Sequence, residues 1–199
     1  MNDEPIFSSV GQALHVAFLM AIMPPTQRVS TQVLIDSLRE QCGKTEARIA
    51  STINMGRLTP LEFRGQCALI CASAHHHLTQ PEYAAVRARF GHQVTKAEGV
   101  KELADYIQPA TGILHVWAVR GIVWKQYHRG GQRARDRWSL RDIEKETGVT
   151  VAALRRCCDV VKKMGEGLEL RAQARLGELF VRTGLVAEEY RADAKLTPA

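Results

Sequence analysis

The sequence predicts an all-α protein, and three observations carry that expectation. Aromatic residues make up only 6% of the 199 residues, and the Val-, Ile- and Tyr-rich runs that mark strands are missing. Apolar residues recur at three- and four-residue steps, the period of one helix face. Three times a Thr stands three places ahead of a Glu, a spacing that lets each residue satisfy the other's backbone N–H at a helix start.

Taken in order, Ser8 or Ser9 opens a helix that runs to about Met23, where Pro24-Pro25 stops it. Val10, Leu14, Ala17, Phe18 and Ile22 form its apolar face. A second helix is expected over roughly 30–41, ended by Gly43, and a weakly amphipathic stretch over 45–54, broken by Gly56. Three capping boxes follow, Thr59 with Glu62, Thr79 with Glu82 and Thr95 with Glu98. They predict helices at about 60–77, 80–90 and 96–107.

The stretch 108–112 reads as a boundary. Beyond it a helix over 113–128 is expected to bury Ile113, Val116, Trp117, Ile122, Val123 and Trp124. A basic loop over 129–137 leads to a helix capped by Ser139, a break at Thr147-Gly148-Val149, and another helix capped by Thr150. Gly165-Glu166-Gly167 reads as a turn. A last helix over 168–183 would then carry Leu170, Ala174, Leu176, Leu179 and Phe180, and the tail from Ala187 is polar. The domain organisation this implies is a helical bundle over 1–108, for dimerisation or partner contact, then 112–184, then a polar tail over 185–199.

Charge narrows the function. Between Arg120 and Lys163 stand twelve Lys/Arg against five acids, +7, while the chain as a whole is +6. Positive charge gathered on one segment is the footprint of a polyanion partner. Within it, a short helix, a Gly-containing turn and a second helix starting with arginines make the pattern of a helix-turn-helix. Leu140, Ile143, Val149, Leu154 and Cys157 fall at its apolar positions and Gly148 at its left-handed one. Glu144 stands where a small residue usually lets the helices cross.

The DNA-contacting residues this predicts are Thr150, Val151, Ala152, Arg155 and Arg156 on the first turns of the second helix. Arg155 or Arg156 suits a guanine edge. Ser139 and Arg141 would lie where the first helix crosses the backbone. Arg129, Arg133, Arg135 and Arg137 would add phosphate contacts.

Other chemistries fare worse. Cys67, Cys71 and His75 share a helix face, but no second ligand pair completes a zinc site, so core packing beside exposed histidines is expected, with no metal. No Gly-rich phosphate loop, nucleophile elbow or zinc-protease motif is present, so neither enzyme activity nor a cofactor is expected. Five cysteines, two of them adjacent, fit reduced thiols and a cytoplasmic location. The acidic start of the chain and the short apolar stretch 13–23 argue against a signal peptide or a membrane span.

The segment 139–186, beginning SLRDIEKETGVTVAALRRCCDVV, resembles the helix-turn-helix regions of phage and prophage transcription regulators. Together with the upstream segment 58–91, its layout resembles the late-gene antiterminator Q group of lambdoid-type phages. That resemblance implies binding to double-stranded DNA near a late promoter and loading onto RNA polymerase. Many members of that group carry a Cys-rich zinc motif, which this chain lacks. Two alternatives are a packaging protein of the small-terminase kind, a DNA-binding homo-oligomer, and a helical protein-interaction module.

Overall fold

The computed structural model describes residues 5–24, 53–54, 58–127 and 139–187. Over these the chain is all-α, with seven helices and no strand; Phe7 and Val186 form an isolated parallel bridge. The expected helix over 30–41 and the amphipathic stretch 45–52 lie outside the described residues. The chain divides into two compact units, one of residues 1–78 with 171–199 and the other of residues 79–170. The break at Gly112 thus falls inside the second unit.

In the first unit, α1 (Val10–Ile22) begins at Ser9, whose hydroxyl accepts the Gln12 N–H at 3.1 Å. Ala13, Leu14, Val16, Ala17 and Leu19 are all buried. Burial thus extends beyond the single apolar face expected from the sequence, to Ala13, Val16 and Leu19. α2 (Pro60–His77) starts at the capping box expected from the sequence. The Glu62 carboxylate accepts the Thr59 N–H at 2.7 Å, and the Thr59 hydroxyl accepts the Glu62 N–H at 3.3 Å. The Thr59 N–H, and then the Thr59 hydroxyl donating to the same carboxylate at 2.7 Å, hold the Glu62 carboxyl below its ordinary pKa. α2 packs on α1, and Phe63 meets Phe7 at 6.1 Å between ring centroids.

In the second unit, α3 (Gln80–Phe90) begins at Thr79, whose N–H and hydroxyl both donate to Glu82, at 3.0 and 2.8 Å. α4 (Gln93–Thr111) packs closely on it. A Cβ on Gly99 would stand 2.6 Å from the Ala88 backbone nitrogen, so the close approach of α3 and α4 requires glycine there. Arg87, with an 11% exposed side chain, is clamped by Glu98 at 3.1 Å and Glu102 at 2.5 Å and lies 4.9 Å from the Tyr83 ring centre.

α4 corrects two expectations. It starts at Gln93 with His92 as its N-cap, so Thr95 lies inside the helix, and Glu98 faces Arg87 rather than capping. It also runs through Pro109 to Thr111, where Gly112 takes the left-handed φ of 67° that ends it. Pro109 sits in the last turn of the helix, near its end. The following corner is closed by Gln108, whose Nε2 donates to the Leu114 carbonyl at 3.0 Å, and by the Thr111 hydroxyl, which accepts the Ile113 N–H at 3.1 Å.

α5 (Val116–Tyr127), α6 (Leu140–Thr147) and the opening turns of α7 (Val151–Arg182) complete this unit. One core joins Val100, Leu103 and Ile107 of α4 with Val119, Ile122 and Val123 of α5, Ile143 of α6 and Leu154, Cys157 and Val161 of α7. Trp117, expected inside, is 69% exposed. Ala118, Val119, Ile122 and Val123 set the buried face, and Trp117 lies off it.

α7 supplies the largest correction. The expected turn at 165–167 is absent and the helix continues through it. Gly165 is buried, and a Cβ there would collide with the Tyr127 hydroxyl. The glycine makes room for a ring that is 2% exposed, which is a packing demand rather than a turn. An unbroken helix keeps one phase, so the stripe Leu154, Cys157, Val161 continues as Leu168, Ala172, Leu176 and Phe180. Leu170 and Ala174, assigned to the inner face from the sequence, are exposed.

Candidate functional site

The residues singled out for function converge on α6 and the start of α7. α6 begins at Ser139, whose hydroxyl accepts the Asp142 N–H at 3.2 Å while the Asp142 carboxylate accepts the Ser139 N–H at 3.1 Å. Hydrogen bonds from the Ser139 hydroxyl and then its backbone hold the Asp142 carboxyl below its ordinary pKa. At the other end, Gly148 adopts a φ of 70°, left-handed backbone that favours glycine, and its N–H donates to the Glu144 carbonyl at 2.8 Å. The Thr147 hydroxyl closes the turn, donating to the Ile143 carbonyl at 2.6 Å.

Glu144 is what ties the two helices. Its Oε1 accepts the Val151 N–H at 3.0 Å, so the side chain spans the break and satisfies a free donor at the start of α7. The acid that stands in place of a small residue is therefore a helix cap. Thr150 adds a longer cap bond, accepting the Ala153 N–H at 3.4 Å. Ile143 and Leu154 are 2% and 0% exposed, and Leu140 and Val149 pack against the same core. Burial pushes the Cys157 thiol up to about 11, which keeps it a protonated, apolar core group.

The outer side is different in kind. Arg141, Thr150, Ala152, Arg155 and Arg156 are exposed, and Ser139 and Val151 are half-buried. Neither Arg155 nor Arg156 forms an ion pair among the described residues. Sequence reasoning missed Lys162 and Lys163 as site residues. They are exposed on the same helix, seven residues beyond Arg155 and Arg156, which is two turns or about 10 Å along one face. That seven-residue spacing was visible in the sequence. Asp159 is the exposed acid between them. Arg129, Arg133, Arg135 and Arg137 lie outside the described residues.

The Cys67, Cys71 and His75 face carries no metal-binding group of three ligands among the described residues. Cys67 is buried and His75 exposed. Burial, with smaller help from Cys71, pushes the Cys67 thiol up to about 12, and burial pushes Cys71 up to about 11. A metal ligand or nucleophile needs the thiolate, which these surroundings disfavour. No helix among the described residues is long and apolar enough to cross a membrane. Compared with known proteins, the chain matches no family model and no curated protein.

Proposed function

We propose that this chain is a sequence-specific, double-stranded-DNA-binding transcription regulator whose α6–α7 pair acts as a helix-turn-helix. One observation carries the reading. The start of α7 is anchored through Leu154 and Cys157 and presents Thr150, Ala152, Arg155 and Arg156 to solvent. A helix held from behind with arginines on its free first turns suits the major groove. Arg155 and Arg156 then read guanine edges, and Thr150 and Ala152 meet a phosphate and a thymine methyl. Ser139 and Arg141 contact the backbone, and Lys162 and Lys163 extend the basic face. Arg129, Arg133, Arg135 and Arg137 are assigned to phosphates. In the finer form of this reading the protein works in the cytoplasm as a phage-type antiterminator with RNA polymerase as its partner, and its chemistry is binding rather than catalysis.

The test is selection of bound sequences from a random duplex pool, followed by anisotropy titrations across salt. Enrichment of one motif and steep weakening between 50 and 200 mM salt, of about a thousandfold or more for six or more phosphate contacts, are expected. Arg155→Ala should relax base choice at one position at a cost of about 1–3 kcal/mol, whereas Arg133→Ala should weaken all duplexes alike. A flat salt response, or Arg155→Ala binding like the parent, overturns the reading.

A further inference from the structure

α4, α5 and α6 line a solvent-open cleft of about 670 Å³ within the second unit, which the DNA-binding reading does not use. That volume lies in the range of small-molecule sites. Trp117 and Trp124 line it together with the buried Val100 and Ile143. Trp117 is 69% exposed, a large apolar area left open to solvent beside the cleft. Three basic side chains line the same space, Lys101, His115 and Arg120.

Their electrostatic states differ. Arg120 is held by Asp105 at 2.8 Å and lies 5.4 Å from the Trp117 ring centre, so it fixes that indole as much as it offers charge. Lys101 is exposed and has no carboxylate partner among the described residues, which makes it the cation available to a ligand. Glu146 is the acid among the lining residues, on the last turn of α6.

We propose that this cleft binds a flat, fused-ring aromatic molecule bearing one acidic group, its ring packed against Trp117 and Trp124 and its anion paired with Lys101. Two indole side chains lining one space favour a planar π-system over an aliphatic one, because aromatic rings gain from offset or edge-on packing. The charge preference rests on the ammonium of Lys101, which has no carboxylate partner among the described residues, since Arg120 is already neutralised by Asp105. Ile143, Glu146 and Thr147 of α6 form part of the wall, so an occupant also braces that helix.

Three probes of one shape and different charge test this: 2-naphthoate, 2-naphthol and 2-naphthylmethylamine, titrated into the full chain. Binding is followed through the indole N–H signals of Trp117 and Trp124, assigned with single Trp→Phe variants. Naphthoate is expected to bind saturably and about tenfold more tightly than naphthol, with the amine weakest. Lys101→Ala should remove the advantage of naphthoate and leave naphthol unchanged. Trp117→Ala should weaken both about tenfold. Both positions are exposed, so neither change threatens the fold. Hydrogen exchange of the α6 amides should slow on saturation with naphthoate. The proposal is overturned if neither indole signal moves at millimolar naphthoate, if the amine binds best, or if Lys101→Ala alters all three probes equally.

Discussion

Two sets of arginines in the second unit show how one residue type is put to opposite uses. Arg87 is only 11% exposed between α3 and α4, with Glu98 and Glu102 on its guanidinium and Tyr83 beside it. Arg155 and Arg156 stand exposed on α7 with no carboxylate partner among the described residues. A buried guanidinium must be paired inside the protein, because leaving it bare costs several kcal/mol. An exposed, unpaired one keeps its full charge for an external anion. The difference teaches that the segment's surplus of positive charge matters where no internal acid absorbs it.

The contrast can be broken most forcefully at its buried side. Gly99→Ala drives a methyl into the Ala88 backbone, which cannot give way as a flexible side chain would. A loss of about 3 kcal/mol is expected in urea unfolding, at the upper end of overpacking costs, with no direct effect on the exposed face of α7.

Acidification should act on the same buried side. Burial, then the charge of Lys96, pushes the His92 pKa down to about 4 from 6.5. The unfolded chain therefore binds this proton first as pH falls. Stability is full above 6.5, declines between 6.5 and about 4, and is flat below that, by about 3 kcal/mol in all. His92→Asn should remove this share of the slope when unfolding is compared at pH 7.5 and 5, and an unchanged difference would disprove the assignment.

A crossed pair of substitutions compares the arginines directly. Arg87→Ala should cost about 2 kcal/mol of stability, less than for a fully buried pair because Glu98 and Glu102 keep contact with water. Arg155→Ala should change stability by less than about 0.5 kcal/mol yet weaken duplex binding. Equal behaviour of the two variants in both assays would erase the distinction.

The smallest expected effect is at Glu144. Glu144→Gln retains an oxygen for the Val151 N–H but removes a negative charge at the start of α7. Duplex affinity should rise a few-fold at low salt and converge with the parent at high salt, with the melting midpoint almost unmoved.

Much of the fold was legible because it is written in local chemistry. The Thr59–Glu62 and Thr79–Glu82 boxes place α2 and α3 to the residue, and Ser139 and Gly148 bracket α6, since cap bonds join neighbours in sequence. The Thr95–Glu98 box failed because Glu98 had a distant competitor in Arg87. Of the candidate site, the exposed positions on α6 and α7 were readable from periodicity. The cleft lined by Trp117 and Trp124 was not, since α4, α5 and α6 come together there only through packing.

The sequence by itself determined that the chain is helical, where most helices begin and which short segment concentrates charge. Each of these depends on residues within one or two turns of one another. Tertiary structure alone decided what Gly99 and Gly165 do. Gly165 reads as a turn until Tyr127 is seen against it, and Gly99 as an ordinary weak helix residue until Ala88 is seen to need the space. A glycine supplies the same backbone freedom and the same missing Cβ wherever it stands. At Gly99 and Gly165 the missing Cβ is what is used, because of a neighbour that is remote in sequence.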